Sequence, residues 1–276
     1  MRTDQQQDYV FEDRADEHTR LIEQATLFDP PTERLLAAAG IGPGMRVLDL
    51  GTGAGSVAIV AARLVGPSGR VVTVDRDPYA LTLAAEHAER EGVANIDFVE
   101  GDLGVPDLPD GPFDAVVGRF VLMYLPDPAA TLHAAALRLR PGGVVCCHEP
   151  ALHGAGAAPQ GPLMQRVQEA IVTTFRLAGA DPEMGLRLHR TIAEAGLPAP
   201  EMHGETLLGC GPEAPVWAWG NLLRGMTPLM ERLGVDGAAE ARSATLDERL
   251  LAELCETDAV LTGPLMVGAW TRVAAG

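Results

Sequence analysis

"VLDLGTGAGSVAIVAA", residues 47–62, carries an apolar, strand-like run into glycines at positions 51, 53 and 55 and then into a helix-like apolar stretch. Glycine lets the backbone turn tightly between a buried strand and a helix, and it lets a ligand come close without meeting a Cβ. The stretch therefore predicts a strand–loop–helix unit with a nucleotide-like ligand at the carboxyl end of the strand.

Working outward, Thr32 is placed to N-cap a helix over residues 33–39 that Gly40 ends, and the first strand covers 46–50. A helix over 56–65 and a β-branched strand over 70–75 follow. Asp77 before Pro78 marks an N-cap with proline at the first helical position, opening a helix to Glu91. Strands over 96–100, 113–118 and 142–150 complete the series, with a helix from Asp127-Pro128 to Arg140 before the last. Apolar strands alternating with helices predict an α/β, doubly wound, mostly parallel sheet covered on both faces.

After Pro150 the rhythm changes. A Gly/Ala/Pro-rich stretch over 151–162 leads to helices over 163–178 and 184–195 and an extended stretch over 201–209. A largely helical block over 212–262 and a last strand over 265–273 follow. The expected organisation is an N-terminal cap segment (1–30), a ligand-binding core (31–150), a lid helix (151–183), a core continuation (184–211), a helical lid insertion (212–262) and a final core strand (263–276).

Composition narrows the function classes. Of 276 residues, 47% are hydrophobic and 21% charged, an ordinary globular balance, so only the polar first two dozen residues, with Gln5-Gln6-Gln7, are expected to be loosely held. A formal charge of −17 argues against nucleic acid or anionic membrane as partner, since both select clustered basic residues. No lysine occurs, which removes the P-loop lysine, the Schiff-base lysine and any lysine general base. Cys146, Cys147, Cys210 and Cys255 lack paired CxxC spacing, so no metal site is expected and the thiols are read as reduced. The N-terminus has no apolar signal core and no run is long enough to span a bilayer, so a soluble, cytoplasmic protein with a small-molecule partner is expected, a homodimer being the candidate assembly.

The ligand can be narrowed too. A dinucleotide fingerprint would place a third glycine where Ser56 stands, and Asp49, just before the loop, would repel a pyrophosphate. The same carboxylate suits a ligand with a cationic amino-acid end, which favours S-adenosylmethionine. Asp75 ends the second strand roughly twenty residues after Gly51, where a carboxylate takes ribose hydroxyls. Arg76 or Asp77 would line the adenine side, Asp102 would accept from the adenine amino group and Leu103 would pack on the ring. The competing reading of Asp75 and Asp102 is that of solvated carboxylates at strand ends.

The blocks "VLDLGTGAG", "VVTVDRD", "FVEGDL", "FDAVVGRFVLMYLPDP" and "LRPGGVVCCHEP", in that order over roughly residues 35–150, resemble the class I S-adenosylmethionine-dependent methyltransferases of small molecules. The resemblance implies their seven-stranded, Rossmann-like fold with a helical lid. It implies a cofactor pocket lined by Gly51, Thr52, Gly53, Asp75, Asp102, Arg119 and Phe120. Many relatives carry Ala, Asn or Asp where this chain has Gly118-Arg119, so Arg119 is read either as a partner of the methionyl carboxylate or as a brace for the lid. In similar enzymes an N-terminal helix closes over the cofactor. Arg20 and Gln24, one helical turn apart, and Tyr9 upstream are then candidates to touch its methionine end, with surface residues as the alternative.

Methyl transfer is an in-line displacement at an already activated carbon, so positioning is the main demand, and a general base is needed only for an acceptor slow to lose its proton. The base candidates are Glu149, His153 and His148. Strand alternation sends His148 and Glu149 to opposite faces, and the alternatives are a satisfied histidine beneath a helix and a carboxylate cap. Tyr124 is placed to orient an acceptor hydroxyl. Trp217, Trp219, Met226 and Met230 would form an adaptable apolar acceptor wall, or simply pack helices. Arg119 at the end of the fourth strand disfavours a magnesium-dependent catechol enzyme. The expected function is methyl transfer to a hydroxyl, amine or carbon of a medium-sized, partly apolar small molecule, a secondary metabolite. The rival is a rearrangement or cyclisation on the same cofactor-binding fold, whose binding blocks would be identical.

Overall fold

The computed structural model describes residues 14–104 and 108–275. The chain order is α1 (Arg14–Ala38), β1 (Arg46–Leu50), α2 (Ser56–Val65), β2 (Arg70–Asp75), α3 (Pro78–Arg90), β3 (Ile96–Glu100), β4 (Phe113–Arg119), a 3-10 turn (Leu122–Tyr124), α4 (Pro128–Ala136) and β5 (Leu139–Ala151). Then come β6 (Gly156–Ala158), α5 (Pro162–Leu177), α6 (Met184–Glu194), β7 (Glu201–Glu205), β8 (Leu208–Cys210), α7 (Trp217–Gly225), α8 (Thr227–Leu233), α9 (Ala238–Ala241), α10 (Leu246–Glu256), β9 (Val260–Thr262) and β10 (Leu265–Arg272). Two compact units result. The sheet unit comprises Leu21–Ala151, Glu183–Glu205 and Met266–Gly276, and the helical unit holds Leu152–Pro182 and Thr206–Leu265 together with the start of α1.

In the sheet unit a seven-stranded sheet has the order β3-β2-β1-β4-β5-β10-β7. The pairs β1–β2, β1–β4, β2–β3 and β4–β5 are parallel, and the edge pair β10–β7 is antiparallel, with Met266 opposite Glu205. Strand order reverses between β1 and β4, so their carboxyl ends flank the crevice in which doubly wound sheets bind ligands. Helix α2 is apolar nearly all round and buried from Ser56 to Ala62, as befits a helix enclosed on several sides. Its end is fastened by Asn95, whose Nδ2 donates to the carbonyls of Ala62 and Gly66 at 3.1 and 2.9 Å. Asp77 and Asp127 cap α3 and α4 as their Asp-Pro pairs predict, accepting from the amides of Tyr79 and Ala130.

Four expectations change. Thr32 is not a cap: α1 runs through Pro30 and Pro31 to Ala38, and Thr32 lies inside it. Burial of Ala25, Phe28, Leu35 and Leu36 along the helix outweighs the local disfavour of proline. The polar N-terminal stretch is already helical from Arg14. Helix α4 stops at Ala136 rather than Arg140, because the carbonyl of Arg138 is taken by the amide of Phe113 at 2.8 Å and Leu139 enters β5. Finally, the extended stretch 201–209 divides between two sheets, and the helical block 212–262 ends in a strand.

In the helical unit β6, β9 and β8 form a small antiparallel sheet, with Gly156 and Leu208 both opposite Thr262. Glu253 of α10 accepts from the amides of Leu163 and Met164 at 2.8 and 2.9 Å, so a residue about ninety positions away caps the N-terminus of α5. Arg224 of α7 is paired with Asp247 of α10 at 2.8 Å. Among the described residues no helix is long and apolar enough to cross a membrane, and no group of His, Cys, Asp and Glu could hold a metal ion.

Candidate cofactor site

The turn after β1 is pinned from both ends of the loop. The amides of Gly51 and Thr52 donate to the carbonyl of Val74 on β2, and the amide of Gly55 returns to Thr52. Gly51, Gly53 and Gly55 all have left-handed φ, at 75°, 51° and 81°. A Cβ on Gly51 would lie 2.8 Å from Cγ2 of Val121, so this glycine also lets the loop after β4 close on the turn. His87 of α3 supports it from behind, its Nδ1 lying 2.7 Å from the carbonyl oxygen of Ala54 and donating to it.

Two carboxylates bracket the turn. Asp75 accepts from the amides of Gly53 (3.2 Å) and Asp77 (3.1 Å), and burial nevertheless pushes its pKa upward. Each of its oxygens keeps a further acceptor position, as a ribose diol requires. Asp49 is wholly buried. Its Oδ2 accepts from Thr73 at 2.8 Å, and since Thr73 has one proton, the hydroxyl of Thr52, 2.8 Å away, donates to Thr73. Its Oδ1 has no hydrogen-bond partner, and neither has the buried Oγ of Ser56. Desolvation raises the Asp49 pKa to about 8, against the opposing pull of Thr73 and Arg119. A buried carboxylate oxygen with nothing to bind, behind a glycine turn whose Gly51 and Gly53 are half-buried, fits a cationic ligand group.

At the ends of β4 and β5 the neighbouring side chains engage α1. Arg119 is buried, ion-paired to Asp29 at 2.9 Å and donating to Oγ1 of Thr32 at 2.8 Å. Thr32 donates to the carbonyl of Phe28 (2.7 Å) and lies 3.0 Å from Nδ1 of His148. With the threonine proton spent on Phe28, Nδ1 of His148 carries a hydrogen and donates. Desolvation, aided by the charge of Arg119, drives the His148 pKa down to about 3, so the ring is neutral. Phe120 has a left-handed φ of 54° and sets its ring edge against Phe28 at 5.2 Å.

Glu149 is also wholly buried. Its Oε1 accepts from the amides of Val121 and Leu122, both at 2.9 Å, and its Oε2 from that of Met123 at 3.4 Å. This corrects its assignment as general base: the carboxylate caps the 3-10 turn. His148, neutral and tied to Thr32, is likewise the satisfied histidine beneath a helix.

The other candidates are dispersed. Asp102 is exposed and accepts from the amide of Gly104 at 2.8 Å, while Leu103 is buried and Arg76 exposed. Tyr124 ends the 3-10 turn, half-buried. Arg20 and Gln24 lie on α1, both half-buried, and Tyr9 lies outside the described residues. His153 sits on an exposed turn of the helical unit. Trp219, Met226 and Met230, on the helices of that unit, are buried, Met226 and Met230 without exposed surface; Trp217 is half-buried. Sequence reasoning missed Phe28, Asp29, Thr73, His87 and Val121. The one usable signal was Arg119 itself, since a cation at a buried strand end needs a counter-charge.

The model of the methyltransferase domain matches residues 41–196. The chain is 42% identical over 115 residues to an arsenite methyltransferase of Aquipseudomonas alcaligenes, covering 39% of this chain and 33% of the relative. It is 39% identical over 117 residues to the nocamycin O-methyltransferase of Saccharothrix syringae, covering 42% and 41%. The chain thus matches well under half the length of either relative. The YcgJ protein of Bacillus subtilis shares the fold at a TM-score of 0.58 and 17% identity, over 89% of this chain and 98% of that one. A domain match spanning more than half of the residues, on a sheet of this order with the glycine turn at its switch point, means that the chain belongs to the class I S-adenosylmethionine-dependent methyltransferases.

Proposed function

We propose that this chain transfers the methyl group of S-adenosylmethionine to a hydroxyl, amine or carbon of a medium-sized, partly apolar small molecule. The observation that carries the reading is the unpartnered Oδ1 of Asp49 behind the left-handed glycine turn. The bound cofactor would supply a methyl group made electrophilic by its sulfonium. Asp49 would accept from the cofactor's ammonium group, Asp75 would hold the ribose hydroxyls, and the bare backbone of Gly51, Thr52 and Gly53 would lie along the ligand. Asp102 and Leu103 would receive the adenine, and Tyr124 would orient the acceptor. Gln24, with Arg20 and Tyr9, remains a candidate for the methionine end.

Proton removal is assigned to neither Glu149 nor His148, because the first holds three amides and the second is buried, donates to Thr32 and has its pKa driven down to about 3, too weak a base to take a proton. Acceptors that ionise readily, or amines with a free lone pair, then match the site best. His153 and Trp217 remain candidates for acceptor choice.

The test is incubation with methyl-labelled S-adenosylmethionine and a pool of candidate phenols, amines and enols. Labelled product with stoichiometric S-adenosylhomocysteine supports methyl transfer. Converted product with the cofactor unconsumed would instead establish the rearrangement.

A further inference from the structure

Phe120 holds a left-handed backbone that a side chain rarely adopts, and the three amides after it, those of Val121, Leu122 and Met123, converge on one buried carboxylate. The amide of Phe120 is itself tied to the carbonyl of His148 at 3.2 Å. Such a conformation persists only where its surroundings over-determine it. Here the fixed segment delivers Val121 into the space above two glycines: a Cβ on Gly51 would meet Cγ2 of Val121 at 2.8 Å, and one on Gly118 would meet its Cγ1 at 2.9 Å. The loop after β4 and the glycine turn after β1 are therefore interlocked through one side chain, and Glu149 fixes the backbone that carries it.

We propose that Glu149 is a positioning residue for cofactor binding, acting through the backbone of residues 121–123 and the side chain of Val121 on the glycine turn. It touches neither cofactor nor acceptor. Its role rests on the reading of the glycine turn as the S-adenosylmethionine site. A carboxylate suits the task because it offers only acceptors; a carboxamide would turn an NH2 group toward the same amides.

The test measures S-adenosylhomocysteine affinity by calorimetry on the intact protein, at a temperature where all variants are folded, with hydrogen exchange read in parallel. Glu149→Gln is expected to weaken binding by about tenfold, the scale of one lost charge-assisted hydrogen bond, and to speed exchange at residues 121–123. Glu253→Gln is the matched control, since it removes a carboxylate cap in the helical unit. It is expected to lower Tm and speed exchange at residues 163–164 while leaving affinity unchanged. Should Glu149→Gln fail to fold, Val121→Ala replaces it, and the same weakening is expected. Wild-type affinity in Glu149→Gln or Val121→Ala, or an equal loss in Glu253→Gln, would overturn the positioning role. A wild-type protein that binds no S-adenosylhomocysteine would overturn the cofactor reading on which it stands.

Discussion

Both units fasten a chain segment with a glutamate drawn from elsewhere, Glu149 on the amides of 121–123 and Glu253 on those of 163–164, yet they treat their remaining polar groups differently. Within the segments 152–182 and 206–265, Arg224 meets Asn221 as well as both oxygens of Asp247, and no buried side-chain polar atom of those two segments is left without a hydrogen-bond partner. In the sheet unit the Oδ1 of Asp49 and the Oγ of Ser56 are buried and unspent on either side of the glycine turn. Leaving such groups unmade costs stability, on the order of 1–3 kcal/mol each. The difference separates a region built for stability from one that holds back polar capacity for a ligand.

The largest effect should come from the buried cation that ties α1 to the strand ends. Arg119→Ala leaves Asp29 without its counter-ion and Thr32 with His148 as its remaining donor, and is expected to cost about 3–5 kcal/mol, read from urea denaturation. Arg119→Lys keeps the charge but not the fork that reaches both residues, and should recover only part of the loss. An Arg119→Ala protein as stable as wild type would show that α1 does not depend on this pair.

Asp49→Asn sharpens the contrast, because affinity and stability should move in opposite directions. Affinity for S-adenosylmethionine is expected to fall about 10- to 100-fold, the scale of one or two charge-assisted hydrogen bonds. In the wild type, affinity should rise as pH passes through about 8 and the carboxylate ionises; in Asp49→Asn the profile should be flat. The stability sign follows from the raised folded-state pKa. The unfolded chain releases this proton near pH 4 and the folded chain near 8, so wild-type stability is lost progressively as pH rises between them and levels off above. The Tm advantage of Asp49→Asn should therefore grow from pH 4 to 8, as measured by calorimetry in buffers across that range.

How far these regions could be read from sequence follows from the range of their interactions. The glycine turn, the strands and the Asp-Pro caps of α3 and α4 are local patterns, in which each residue's neighbours decide its state, and they were legible. Thr32 was not, because its partners Arg119 and His148 lie about ninety to a hundred and twenty residues away and the double proline before it reads locally as a helix start. Glu149 looked like a base because a carboxylate at the end of a strand in this fold faces a ligand as easily as a neighbouring loop. Only the convergence of three amides distinguishes the two. Met226 and Met230 were ambiguous for a similar reason, since an apolar helix face looks the same whether it meets a metabolite or another helix.

The smallest expected difference compares glycines that share a backbone conformation. Gly51 and Gly234 have φ of 75° and 68°; an added Cβ at Gly234, the cap of α8, meets nothing within 4 Å, whereas at Gly51 it meets Val121 at 2.8 Å. Gly234→Ala should cost only the left-handed penalty, about 1 kcal/mol, with affinity for S-adenosylhomocysteine unchanged. Gly51→Ala adds a collision with a side chain that Glu149 holds in place, and should cost roughly 2–3 kcal/mol together with the affinity. Val121→Ala combined with Gly51→Ala relieves the collision, and the double variant should lose less stability than the sum of the two singles, a coupling read directly from a double-mutant cycle. Additive losses would mean that the two loops are adjacent but not interlocked.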